Sequence, residues 1–329
     1  MNYIEYRTDG QGGLRRALTS ATPLPAHGVR VAVCAIGLNF RDVYVIRGNR
    51  YRAAAVDRVP MTDAAGVVEA IGDAVTRFKV GDRVCSTVLP DWIDGPLTAH
   101  DMARSPAVLT EYFDAHENDL VAAPPHLSVI EAATLPVAAL TAWHAVAELG
   151  VVREGDTVVV QTTGGVAVFA MQFAQALGAR VIVVSRSEDK LLRSGAWATI
   201  NTAATPEWDQ QVLALTGGAG ARLVLDMGLS DSLRRSARAA AYEGTVAIIG
   251  VVQEQTNPLD IYTVMNKNLN VRGVETGSRA MFERMNRFML EHDIHPIVDA
   301  VYRFDQVDAA LDHLGSSPYG KVVLSSRCE

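Results

Sequence analysis

The stretch from Asp156 to Lys190, DTVVVQTTGGVAVFAMQFAQALGARVIVVSRSEDK, constrains the fold most, because it carries a strand, a turn, a helix and a second strand in unbroken order. Thr157 to Val160 is a β-branched run bounded by Gly155-Asp156 and TTGG, the pattern of a parallel strand buried on both faces. From Val166 the apolar residues Val166, Phe169, Phe173 and Leu177 recur at helical spacing. Ala167, Ala170 and Ala174 keep the buried side thin enough to lie on a sheet. Gly178 follows as a C-terminal cap, and Val181 to Val184 supplies the second buried strand.

This arrangement is suited to anion binding. Backbone N–H groups of Gly164, Gly165 and Val166 have no intrahelical acceptors, and with the helix dipole they face a pyrophosphate favourably. Against the dinucleotide pattern G-x-G-x-x-G/A, the segment has Thr162 at the first glycine position, Gly164 at the second and Ala167 at the last. The same residues also fit an ordinary strand-to-helix turn. An NAD site usually places Asp or Glu roughly 20 residues beyond the glycines. Here Ser185 stands there, with Arg186 next and Lys190 a turn on, which suits the 2′-phosphate of NADP(H). The alternative is that Arg186 and Lys190 are solvated loop charges offset by Glu188 and Asp189.

A chain of 329 residues is long for one core, so two domains are expected. Hydrophobic residues at 49% and charged ones at 20% describe a globular protein, and a net charge of −7 argues against nucleic-acid binding. Glu5, Arg7 and Asp9 stand where a signal peptide needs an apolar core, and no apolar run reaches the roughly 18 residues of a membrane span. A cytoplasmic location is the expectation. Cys34, Cys85 and Cys328 form no C-x-x-C pair, which fits reduced thiols and gives no framework for structural zinc.

Before the central stretch, short alternating strands dominate: Val29 to Phe40, Ala64 to Gly72 and Asp82 to Val88, then a long Pro- and Asp-containing loop from Leu89. Ser128 and Glu131 form a capping pattern ahead of a helical run broken at Pro136. After the central stretch, strands and helices alternate: helix Trp208 to Leu215, strand Leu223 to Asp226, helix Leu233 to Ala241, strand Thr245 to Gly250 and strand Leu269 to Glu275. Such alternation predicts a doubly wound parallel sheet. The tail reads as strand Ile297 to Arg303, a helix capped by Asp305, and a last strand KVVLS.

Several segments, in order, resemble one family. GLNFRDVYVIRG, AAGVVEAIGDAVTRFKVGDRV, EAATLPVAALTAWHAV and GKVVL are similar to segments of the medium-chain dehydrogenases/reductases, in their zinc-independent quinone oxidoreductase-like and enoyl reductase-like branch. LPDWIDGPLTAHD and GSRAMFERMNR resemble the bacterial zinc-type alcohol dehydrogenase-like group. The resemblance implies an α/β chain: a doubly wound parallel Rossmann sheet, residues 123–276, inserted into a GroES-like β-rich catalytic domain, residues 1–122 and 277–329. It also implies a homodimer paired along an edge strand near Leu269 to Val274, and a small-molecule substrate.

At the places matching the family's catalytic zinc ligands stand Asn39, Thr62 and, near Pro136, Val137, so the resemblance implies no metal. The expected chemistry is then NADPH-dependent hydride delivery to the β-carbon of an enone, enoyl thioester or quinone. Asn39 is the candidate for positioning the ribose or polarising the substrate oxygen, Tyr44 for donating a proton, and Asp42 for orienting either. By resemblance, Thr141, Gly250 and Val251 flank the nicotinamide, while Ser278, Arg279 and Lys321 line the adenosine or phosphate side. Two departures stand out, DMGLSDSL from Asp226 to Leu233 and the acidic Glu275, which reads as a solvated side chain or as a selector of cationic substrates. Imine or carbonyl reduction, and a cofactor-binding protein without chemistry, are the alternative functions.

Overall fold

The structure is a computed structural model and describes residues 1–49, 53–98, 105–250 and 258–326. Its strands, in chain order, are β1 Asn2–Thr8, β2 Leu14–Ser20, β3 Gly28–Gly37, β4 Asp63–Ile71, β5 Arg83–Ser86, β6 Tyr112–His116, β7 Leu120–Ala122, β8 Thr157–Gln161, β9 Arg180–Ser185, β10 Ala198–Asn201, β11 Ala221–Asp226, β12 Ala240–Ile248, β13 Asn270–Gly273, β14 Val298–Arg303 and β15 Lys321–Ser325. They fall into two compact units, Met1–Leu140 with Thr276–Glu329, and Thr141–Glu275. The segment 123–140 thus makes its contacts within the first unit, whereas the sequence reading gave it to the second.

In the second unit the strand order is β10-β9-β8-β11-β12-β13, with every neighbouring pair parallel. This is the doubly wound Rossmann sheet. Val158, Val159 and Val160 of β8 are fully buried at its centre, as a strand covered on both faces requires. The helix Gly165–Ala176 covers one face through Ala167, Val168, Phe169, Ala170, Phe173 and Ala174. It ends because Gly178 takes φ 79°, and Ala179 N–H then turns back to Ala174 O at 2.9 Å. The strand order reverses between β8 and β11, and the crevice outside the carboxyl ends at such a switch point is where this sheet type receives ligands.

The first unit is the GroES-like β-rich body. Its seven-stranded sheet runs β14-β15-β3-β4-β5-β7, with β6 also on β3, and β1 and β2 form a separate hairpin. Val29, Val31, Val33, Ile36 and Val68 pack its core against Leu311 and Leu314 of the helix Val307–Gly315. The strand read from Val29 to Phe40 stops at Gly37. A side chain there would meet Ala133 O at 2.2 Å, and two residues later Asn39 caps the helix Phe40–Arg47. The capping box Ser128–Glu131 forms as read, with Ser128 N–H donating to Glu131 Oε2 at 2.8 Å. Beyond it the run 135–149 contains two π-helical turns, Leu135–Ala139 and His144–Leu149. Near the C-terminus Gln306, not Asp305, precedes the helix Val307–Gly315, because a 3₁₀ turn, Phe304–Gln306, intervenes. Cys85 is a buried free thiol, while Cys34 is disulfide-bonded, which corrects the reading of reduced thiols for that position. No helix among the described residues is long and apolar enough to cross a membrane.

Candidate active site

At the ends of β3 and β15 and the start of β4, the first unit encloses charges that no soluble core tolerates without compensation. Lys321 opens β15 and is 3% exposed; its ammonium donates to Leu38 O and to Asn39 Oδ1, both at 2.6 Å. Asp63 opens β4 and is fully buried. Its carboxylate accepts from Val137 N–H at 3.0 Å, from the Thr62 hydroxyl at 3.0 Å and from the Asn39 amide. Asp42, one turn into the helix Phe40–Arg47, is 1% exposed and accepts from Asn39 N–H at 2.8 Å. Five elements therefore converge on one ammonium and two carboxylates.

Burial pushes both carboxyls up and the ammonium down, while attraction between Lys321 and the two aspartates opposes it. The donor pattern separates the two acids. Asp63 accepts from three donors and is attracted by Lys321, whose ammonium donates to two oxygens. Asp42 has one backbone donor, and burial, eased by Arg41, leaves it titrating at about 7.

That value gives a pH dependence of stability. The folded carboxyl lies above its ordinary 3.8, so its contribution is complete below that value and is lost as pH rises through about 7. The loss is ~4 kcal/mol at 1.36 kcal/mol per unit. Denaturant unfolding followed from acid to neutral pH is expected to show this decline in the wild type and a flatter profile in Asp42→Asn. Parallel profiles would remove Asp42 as the titrating group.

Asn39 and Asp42 thus come together as the sequence suggested, but in different roles. Both ends of the Asn39 amide are engaged, by Lys321 and Asp63. Tyr44 lies away from them: Asp42 points inward, while Tyr44 sits edge-on to Phe40 at 5.2 Å on another face of the same helix. Ser278 is fully buried and caps the helix Arg279–Glu291 through Met281 N–H, and Arg279 donates to Asn118 Oδ1 at 2.7 Å. The side chains of Ser278, Arg279 and Lys321 have partners within the first unit. Asp63 was missed in the sequence; its signal is a charge placed directly before an apolar run, AAGVV, as Lys321 is placed before VVL.

In the second unit Thr162 takes φ 68°, the left-handed conformation of the glycine it stands in for, which costs a β-branched residue roughly 1–2 kcal/mol. Gly164 caps the next helix without any side-chain acceptor, and a side chain at Gly164 would meet nothing within 4 Å. Among the described residues the turn therefore presents open space and N–H groups of Gly165 and Val166 that lack intrahelical acceptors, a cradle that fits a pyrophosphate. Ser185 ends β9, and its Oγ accepts from Ser187 N–H at 3.4 Å. Arg186 is exposed and has no ion pair among the described residues, because Glu188 accepts instead from Asn201 Nδ2 at 2.7 Å. Lys190 lies in the helix Glu188–Arg193 that follows. Thr141 is buried at the start of this unit, Gly250 follows β12, and Val251 lies outside the described residues. The departure DMGLSDSL is fixed by the buried Asp226, which accepts from Gly228 N–H, Ser232 Oγ and Ser236 Oγ at 2.8, 2.8 and 2.6 Å. Glu275 is exposed.

Comparison with known proteins agrees with this architecture. Residues 25–125 match the alcohol dehydrogenase GroES-like domain, and residues 165–291 match the zinc-binding dehydrogenase family. A zinc-type alcohol dehydrogenase-like protein of Schizosaccharomyces pombe is 37% identical over 90% of this chain and 90% of its own length. A quinone oxidoreductase of Pseudomonas aeruginosa is 34% identical over 68% of this chain and 64% of its own. The crystal structure of a putative alcohol dehydrogenase from Sinorhizobium meliloti superposes with a TM-score of 0.92 at 38% identity, covering 99% of both chains.

Proposed function

The chain belongs to the medium-chain dehydrogenase/reductase superfamily and is an oxidoreductase of that kind, and from this premise we propose that it is a metal-free, NADPH-dependent reductase of an activated double bond. The substrate class is an enone, enoyl thioester or quinone. The observation that carries this reading is the Asn39–Lys321–Asp63 cluster. Where the family resemblance puts zinc ligands, the Asn39 oxygen is bonded to an ammonium, the Thr62 hydroxyl donates to Asp63, and Val137 contributes an N–H. These groups do not fit a zinc ion, which takes thiolate and imidazole donors.

The second unit's turn fits the cofactor. Gly165 and Val166 N–H groups hold the pyrophosphate, with Gly164 leaving it room, and Arg186 takes the 2′-phosphate with Lys190 beside it. Thr141 and Gly250 border the nicotinamide. When bound, the nicotinamide supplies a hydride. Asp42, pushed up to about 7 by burial, is a group that can hold or release a proton near neutral pH, and Asp63 with Lys321 fixes Asn39 beside it. Arg186→Ala is expected to raise KM for NADPH roughly 10- to 100-fold and to leave KM for NADH unchanged, since one charge-assisted contact is lost. A parallel change for both cofactors would show that Arg186 does not read the phosphate.

Two copies are proposed to pair along β13, the edge of the parallel sheet, near the exposed Tyr242, Ile261, Tyr262 and Met265. Sedimentation is expected to give a dimer that Tyr262→Glu dissociates; a monomeric wild type would remove the assignment. The activity itself is tested by NADPH oxidation over a panel of enones, quinones and imines. Turnover of enones or quinones is expected. Turnover of imines alone, or NADPH binding without any turnover, would overturn it.

A further inference from the structure

Beside Asp42 the first unit holds a cavity of about 260 Å³, and its wall includes Arg41, Arg58, Met61, Thr62 and Ser105. Two features mark it as more than a packing gap. Ser105 is 8% exposed and its hydroxyl has no hydrogen-bond partner among the described residues; Nη1 of Arg41 is likewise shut off from solvent with no partner among them. Buried donors are paired in all but a few cases, so two orphans in one cavity wall mark a missing acceptor. The wall is also cationic. Among the described residues it carries two guanidinium groups and a single carboxyl, that of Asp42, which burial keeps partly protonated near neutrality. Met61, 3% exposed, takes φ 70°, a left-handed backbone conformation that costs roughly 1–2 kcal/mol and is characteristic of binding sites.

We propose that this cavity receives a carboxylate carried by the substrate, with Arg41 supplying the charge and Ser105 a second donor. The inference rests on the reductase reading and narrows it to acids bearing an activated double bond. A guanidinium matches a carboxylate in plane and in charge, and the pair forms the stronger, charge-assisted class of hydrogen bond. A neutral amide of the same shape offers no charge and leaves the arginine unpaired.

The test is calorimetric titration of the full chain with benzoate and with benzamide, without cofactor and without turnover. Benzoate is expected to bind at least about 10-fold more tightly than benzamide. Arg41→Met is expected to abolish that preference, Arg41→Lys to restore part of it, and Ser105→Ala to weaken benzoate binding alone. Equal affinity for the two probes, no benzoate binding, or a preference that survives Arg41→Met would overturn the proposal. Should Arg41→Met fail to fold, Arg41→Lys and Ser105→Ala decide: benzoate binding unchanged in both would overturn it. The two readings fail separately. An enzyme that reduces neutral enones but does not prefer benzoate loses only this inference, and one that prefers benzoate but oxidises NADPH with no enone loses only the proposed activity.

Discussion

Lys321→Met is expected to destabilise the first unit by about 3–5 kcal/mol, because it leaves a buried carboxylate without its cation. Asp63 has no access to solvent, and Lys321 is the cation whose attraction it feels. The substitution also orphans Leu38 O and Asn39 Oδ1, each of which accepts from Nζ at 2.6 Å. The double variant Lys321→Met/Asp63→Asn removes both charges together and is expected to recover most of the loss, since replacing a whole buried pair is much less costly than breaking one. Denaturant midpoints measure both. A single variant within about 1 kcal/mol of wild type would mean that the cluster carries no paired charge.

Gly164→Val is expected to lower NADPH affinity by about 100-fold or more, through loss of charge-assisted contacts to backbone N–H groups, while changing stability by less than about 1 kcal/mol. The separation of the two effects follows from the geometry. Gly164 has φ −76° and ψ −176°, extended backbone open to any residue, and a side chain there meets no protein atom within 4 Å. The added isopropyl group therefore occupies the space over the turn and nothing else. Titration by NADPH fluorescence alongside thermal unfolding reads both quantities; unchanged affinity would mean that the pyrophosphate does not lie over this turn.

The parallel sheet was legible in the sequence because its signals are local. The apolar run of β8, the helical spacing from Val166 and the glycine at 178 each act within a few residues. Thr162 could also be placed, and its φ of 68° shows that the fingerprint's backbone conformation persists without the glycine. The buried charge cluster was legible only in part. Asn39 and Asp42 share a capping turn and were found together, but Lys321 meets Asn39 across 282 positions of sequence, and no local pattern reports such a distance. Tyr44 was read as a neighbour of Asp42 because two residues separate them, whereas on a helix that spacing turns them to different faces. Ser278 and Arg279 were placed by resemblance, and the capping and ion-pair partners that engage their side chains depend on the packing of the first unit.

The proposed activity is tested most directly by the fate of the hydride. The enzyme would be turned over with NADPH deuterated at the reactive position of its nicotinamide and with trans-4-phenyl-3-buten-2-one, and the product examined by NMR. Deuterium on the β-carbon of a saturated ketone is the expected result. Deuterium on the carbinol carbon of an allylic alcohol, or no labelled product at all, would contradict it.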